Sequence, residues 1–264
     1  MFAFTVLLIL SLTGAHMAIT KQDTIQEKKV KLGVTIILDL PYIRQSRHND
    51  NLTRYLRAFL NAVQLRFSDM TKPKINLILA DIILLDAAKQ ATIYSENDIL
   101  RYTVHGVWTR TDSTYHFPEN RGIILIMTGF DIWNAFYLDG NITSSAEENG
   151  ACTPNKKNVA LCEDDGFTFS GVGSAAQAIA RLLGASFDTY KERYKCHPDK
   201  GYLLSSNTGV SSRYNLSACG KEQIKKAIKT SDQKRKDCLF KGRTIEGSAS
   251  EVNEPLELPI DLLQ

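Results

Sequence analysis

Near the start of the chain Val30, Leu32, Val34, Ile36 and Leu38 fall on one parity, with Lys31, Gly33, Thr35 and Ile37 between them, until Asp39-Leu40-Pro41 ends the run. That period of two predicts a first strand. Leu52, Tyr55, Leu56, Phe59, Leu60, Val63 and Phe67 then recur at steps of three and four, the stripe of a long amphipathic helix, and Pro73 closes it. Ile75 to Leu85 is a nearly continuous apolar run, as a strand buried on both faces requires. Ser95-Glu-Asn-Asp98 resembles a capping box before a helix through Ile99, Tyr102, Thr103 and Val107. Gly122 to Thr128 and Asn158 to Cys162 predict two more buried strands, Ser174 opens another helix, and a last helix follows Cys219 with Ile224, Ala227 and Ile228 on one face. Strands alternating with helices give an α/β fold with a twisted mixed sheet.

A chain of 264 residues with 43% hydrophobic content can fill one core of this kind. Its net charge of +3 is too small, and too little clustered, to imply a nucleic-acid partner. The uncharged run Phe2 to Leu12 has the length of a signal-peptide core and is too short to span a bilayer, so residues 1–18 are expected to be a signal peptide cut after Ala15 or Ala18. Secretion and an extracellular location follow, with no membrane partner. In that setting the five cysteines, at 152, 162, 196, 219 and 238, form a disulfide set with one left over. Three sequons, at Asn51, Asn141 and Asn215, predict glycosylation.

The chemistry is concentrated between Ser174 and Asp188. A zinc-protease helix needs His-Glu-x-x-His so that two imidazoles one turn apart face the metal, with the Glu beside it to deprotonate water. Here those places hold Gln177, Ala178 and Arg181; Gly184 stands where the extended motif turns, and Phe187 where a third His would be. Gln is a poor zinc ligand, Ala and Phe offer no donor, and Arg cannot lose its proton. Arg181 also opposes a divalent cation: at about 5 Å and an effective dielectric near 20 the repulsion is roughly 7 kcal/mol. His16, His48, His105, His116 and His197 are scattered and have no partner at metal-ligand spacing. No nucleophile elbow, P-loop or dinucleotide fingerprint is present.

Downstream, Cys196-His-Pro-Asp-Lys-Gly201-Tyr202-Leu203-Leu204-Ser205 resembles the Cys-x-x-x-x-Gly-Tyr-Ile-Met-Ser segment of a Met-turn, with Leu204 at the Met position. Tyr214 to Cys219 is similar to a Phe-x-x-Ser-x-Cys element, and Cys238-Leu239 to a closing Cys-Leu. Upstream, Cys152-Thr153, Val159 to Asp164 and Ser170-Gly171-Val172 are similar to the run that leads into the zinc helix. Over about residues 30 to 240 the chain therefore resembles the reprolysin (adamalysin-like) metalloproteases of the metzincin group, most closely their tick salivary members.

The resemblance implies a reprolysin-like domain over residues 19–240, with an upper part to about 184 and a small disulfide-bonded lower part over 185–240, followed by a flexible acidic tail over 241–264. It implies the pairs Cys152 with Cys238 and Cys196 with Cys219. Cys162 is then the odd thiol, to be read as a nucleophile or intermolecular link or as an inert core cysteine, and the carboxylates that follow it, which suppress the thiolate, favour the inert reading. Where active relatives carry an apolar edge strand, Ser144 to Gly150 places Glu147 and Glu148, which discourages strand addition. With the metal gone, Phe187 and Leu204 are expected to be buried at the vacated centre.

A basic cluster, Lys225, Lys226, Lys229, Lys234, Arg235 and Lys236, is the candidate binding surface, after Lys221 on the same helix. The expected function is that of a secreted, catalytically inactive pseudoprotease without zinc or other cofactor, salivary by family context. Its expected partner is a host blood or tissue protein, or an anionic glycan. The alternatives are a zinc metalloendopeptidase with non-standard ligands and a structural secretory glycoprotein.

Overall fold

The computed structural model describes residues 29–46, 51–93, 122–132, 143–153, 157–190, 196–205 and 215–241. The expected signal peptide, the helix from Ser95, the sequon at Asn141, four of the five histidines and the tail after Lys241 lie outside them.

Five strands make one sheet: β1 Lys29–Leu38, β2 Lys74–Leu84, β3 Ile123–Thr128, β4 Ser144–Ala146 and β5 Val159–Glu163, in the order β2-β1-β3-β5-β4. All neighbours run parallel except β4, which lies antiparallel on the outer edge of β5. The alternation seen in the sequence sorts the two faces. Val30, Leu32, Val34, Ile36 and Leu38 join Ile123, Leu125, Met127, Ala160 and Cys162 in the larger core, while Ile37, Ile124, Ile126, Val159 and Leu161 form a second cluster on the other face.

The helices are α1 Leu40–Gln45, α2 Leu52–Leu65, α3 Ala87–Ile93, α4 Val172–Leu182, α5 Ala218–Thr230 and α6 Gln233–Lys241, and residues of α1, α2, α4, α5 and α6 share the larger core with the first face. Of these, α2 packs on β2 and α4, α4 on β4 and β5, and α6 on β1. The short α1 is not evident from periodicity, yet its start is chemically marked: the Asp39 carboxylate accepts from the Tyr42 backbone N–H at 2.8 Å, and Pro41 sits in the first turn.

Asp164, just past the end of β5, gathers these elements. Its side chain accepts from Tyr42 Oη of α1 at 3.2 Å, Tyr55 Oη of α2 at 2.7 Å, and the backbone N–H groups of Gly166 and Gly171 at 2.9 Å each. Gly171 is the N-cap residue of α4, and a Cβ there would stand 2.2 Å from the Glu163 carbonyl oxygen. The same carboxylate thus sets where α4 begins, two residues before the predicted Ser174.

Two disulfides secure the C-terminal part: Cys152–Cys238 ties the segment between β4 and β5 to α6, and Cys196–Cys219 ties residues 196–205 to α5. These are the pairs that the resemblance implies. Cys162 is free and buried, and burial first, then Asp164 and Glu163, push its thiol pKa up, which keeps it in the inert thiol form. Among the described residues no helix is long and apolar enough to cross a membrane.

The tyrosine–carboxylate cluster has a pH consequence. Burial first, with Asp164 next, raises the Tyr42 pKa above its ordinary 10.0, and burial followed by the hydrogen bond to Asp164 does the same for Tyr55. Above that ordinary value the unfolded chain sheds protons that the folded chain keeps, so the stabilisation is complete below it and is lost as pH rises. Urea unfolding at about pH 9 and about pH 11 should show this loss, and it should be smaller in Tyr42→Phe, in which one of the two shifted hydroxyls is absent. Equal losses in the two proteins would contradict the assignment.

Candidate functional site

Helix α4 carries Gln177, Ala178 and Arg181, and small residues decide how it sits. Ala175, Ala176, Ala178 and Ala180 are buried with Val172, Ile179 and Leu182, so its backbone lies close to the sheet and to α2 while Gln177 and Arg181 stay partly exposed. The helix ends at Gly184, whose φ of 104° belongs to glycine and whose N–H caps the Arg181 carbonyl at 2.8 Å. A Cβ there would also stand 2.4 Å from Ala227 Cβ on α5. The frame's glycine is therefore required by the turn and by helix packing, independently of any metal. The segment after β4 caps the same helix end, with Asn149 N–H donating to the Arg181 carbonyl at 2.8 Å and Ala151 N–H to that of Leu182 at 2.9 Å.

Each frame position is occupied by packing or hydrogen bonding. The Gln177 amide accepts from Ser144 Oγ at 3.3 Å and donates through Nε2 to the Leu203 carbonyl at 3.1 Å, linking β4 to the Met-turn-like segment. Ala178 is 1% exposed. One turn beyond Gln177, the Arg181 guanidinium carbon stands 4.8 Å from the centroid of the Phe187 ring, a cation–π contact. Burial draws the Arg181 pKa below its usual value, partly countered by Glu148 and Glu147.

Leu204 is fully buried, as expected, but Phe187 is 38% exposed and does not fill the centre. The reason lies in its neighbour. Asp188 is buried, donates its N–H to the Leu204 carbonyl at 2.9 Å and accepts from Ser217 Oγ at 2.6 Å. An extended segment pinned with residue 188 inward turns residue 187 outward. The ring then lies against Arg181.

These groups do not fit a zinc ion. The donor set is one committed amide, one methyl, one permanent cation and one aromatic ring, and among the described residues no three His, Cys, Asp or Glu side chains converge as metal ligands. His197 is engaged elsewhere, with Nδ1 3.2 Å from Asp199 Oδ2 and its ring edge-on to Tyr190 at 4.8 Å. The segment with Glu147 and Glu148 does form an edge strand, but over Ser144–Ala146 only, and Glu148 Oε1 accepts from Ser186 Oγ at 2.8 Å.

The basic cluster is smaller than the sequence implies. Lys226, Lys229 and Lys234 are exposed, Lys225 and Lys236 partly so, and Lys225 Nζ pairs with Glu222 at 2.6 Å. Arg235 is not part of this surface. It is 7% exposed, donating Nε to the Ala151 carbonyl at 2.8 Å and Nη1 to Asn149 Oδ1 at 2.7 Å, and so clasps α6 beside the Cys152–Cys238 bridge. Lys221 pairs with Asp69 at 2.5 Å. Of the described sequons, Asn51 is exposed and caps α2 through a bond from Arg54 N–H at 3.3 Å, and Asn215 is exposed just before α5.

No family model matches the chain. It is 29% identical over 210 residues to a protein named a disintegrin and metalloproteinase with thrombospondin motifs like, from Bombyx mori, covering 70% of this chain and 30% of that one. Venom metalloproteinase 3 of Eulophus pennicornis is 25% identical, with 64% of this chain and 42% of that one covered. Venom metalloproteinase 2 of the same organism is 30% identical, with 51% and 34% covered. The chain thus spans about a third of the length of these curated relatives. A solved metalloproteinase-II from Bacteroides fragilis matches with a TM-score of 0.47 and 13% identity, over 76% of this chain and 54% of that one. By sequence, the chain is a distant relative of metalloproteinases of the ADAMTS-like and venom types.

Proposed function

We propose that this protein is a secreted, reprolysin-like pseudoprotease that cuts no peptide bond and acts by binding. The observation that carries the reading is the occupancy of the helix frame: the places of two imidazoles and a catalytic carboxylate hold a hydrogen-bonded Gln177, a buried Ala178, and an Arg181 stacked on Phe187. The two disulfides and the exposed Asn51 and Asn215 support an extracellular life. The family context stated above supports a salivary protein directed at a host blood or tissue protein, with an anionic glycan as the other partner class. The Lys-rich surface of α5 and α6 is the binding face in this reading.

Purified protein should contain far less than one zinc per chain by elemental analysis and leave casein and fibrinogen intact. Stoichiometric zinc with chelator-sensitive cleavage would instead establish the metalloendopeptidase alternative.

Capture from host plasma should weaken when Lys226, Lys229 and Lys234 are changed to Glu, and it should weaken as salt is raised, because exposed charges are screened within about 10 Å at 0.1 M. Arg235→Leu is the control. It should lower stability by about 2 kcal/mol or more, by leaving the Asn149 and Ala151 oxygens unpaired, without the salt signature. Full capture by the triple Glu variant would remove the Lys-rich face from the account.

A further inference from the structure

Between β4 and β5 lies Asn149-Gly150, the only Asn-Gly pair in the sequence. In an unrestrained chain such a pair modifies itself, because a glycine has no side chain to hinder attack by its backbone nitrogen on the neighbouring Asn amide. The fold nevertheless requires both residues. Asn149 has a φ of 63°, a left-handed backbone that Asn accepts more readily than most residues, and its Oδ1 accepts from Arg235 Nη1 at 2.7 Å. At Gly150 a Cβ would collide with the Lys157 carbonyl, so only glycine fits.

Hydrogen bonds hold the pair from both sides. Asn149 N–H donates to the Arg181 carbonyl at 2.8 Å and Ala151 N–H to that of Leu182 at 2.9 Å, while the Gly150 carbonyl accepts from Thr153 N–H at 3.1 Å. Arg235 also donates Nε to the Ala151 carbonyl at 2.8 Å. Ring closure needs the Asn149 side chain and the 149–150 peptide to turn onto each other. The main-chain bonds restrain the peptide, and Arg235 restrains the side chain. That second restraint comes from α6, so it lasts only while α6 is docked.

We propose that Asn149-Gly150 is a self-modification site that the Arg235 clasp holds closed. When the clasp opens, the Gly150 nitrogen loses its proton and bonds to Asn149 Cγ, and the Cγ–Nδ2 bond breaks with release of ammonia. Water then opens the resulting succinimide at either carbonyl, giving aspartate or isoaspartate. Asn149 is exposed, so water reaches it. Isoaspartate adds a methylene to the main chain between the Asn149 and Ala151 N–H groups, which cap the end of α4, so a copy that takes this path cannot rebuild the turn. Opening of α6 is thereby recorded as a permanent change. This inference is independent of what the protein binds.

The test follows conversion of Asn149 by peptide mapping and mass spectrometry, with isoaspartate identified by its fragmentation, in full-length protein held at mildly alkaline pH. The capped peptide Glu-Glu-Asn-Gly-Ala supplies the unrestrained rate. The native protein should convert at least about a hundredfold more slowly than the peptide, since only its locally opened fraction reacts. Arg235→Leu should convert at least about tenfold faster than native, and Arg235→Lys, which keeps a single donor group, should fall between. Hydrogen exchange on the same samples separates a local clasp from general unfolding: in Arg235→Lys the Ala151 amide should exchange faster while the Val34 amide in β1 does not. If Arg235→Leu does not fold, the Lys variant decides. Native protein converting as fast as the peptide, a Lys variant no faster than native, or equal acceleration of Ala151 and Val34 exchange would overturn the proposal.

Discussion

The four hydrogen bonds to the Asp164 carboxylate place everything that follows. Through Tyr42 and Tyr55 it fixes α1 and α2 to the end of β5, and through Gly171 it fixes the first turn of α4. A buried carboxylate is tolerated only when its oxygens are met by donors, so the cluster permits one arrangement of these elements. The orientation of α4 decides which of its residues stay partly exposed. With its alanines turned to the sheet, Gln177 and Arg181 are left to face outward, and they are two of the positions where a metalloprotease would present imidazoles.

Hydrogen bonds, packing and disulfides among the described residues hold the lower part to α4. Gln177 bonds to Leu203, Asp188 joins Leu204 and Ser217, and Leu204 packs fully buried near Gly220 of α5. Two disulfides and the Arg235 clasp add covalent and polar ties on either side. In a zinc enzyme the ion crosslinks the two parts through its ligands. Among the described residues, hydrogen bonds and apolar packing join the two parts, and the glycine turn and the Met-turn-like segment are held in place by them.

Much of this was legible in the sequence wherever local periodicity governs. The alternation from Val30 to Leu38 and the stripe from Leu52 to Phe67 gave β1 and α2 to within a few residues, and the apolar runs gave β2, β3 and β5. The parts that were not legible depend on partners distant in the chain. Arg235 looks like one more surface cation until Asn149 and Ala151 are brought to it, and Phe187 looks like a core residue until Asp188 is pinned by Leu204 and Ser217. Asp164 reads as one of three successive acids, and nothing local distinguishes it as the one that meets Tyr42 and Tyr55. The short α1 was missed for want of length, although Asp39 and Pro41 marked its start.

The central claim is that the α4 frame is a finished packing arrangement with no place for a metal. Thermal unfolding of the purified protein in chelator and again with equimolar zinc tests it directly, since anything that binds the folded state alone raises its melting temperature. The account predicts coincident melts. A rise of several degrees with zinc, lost in an Arg181→Ala or Gln177→Ala variant that otherwise melts normally, would contradict it.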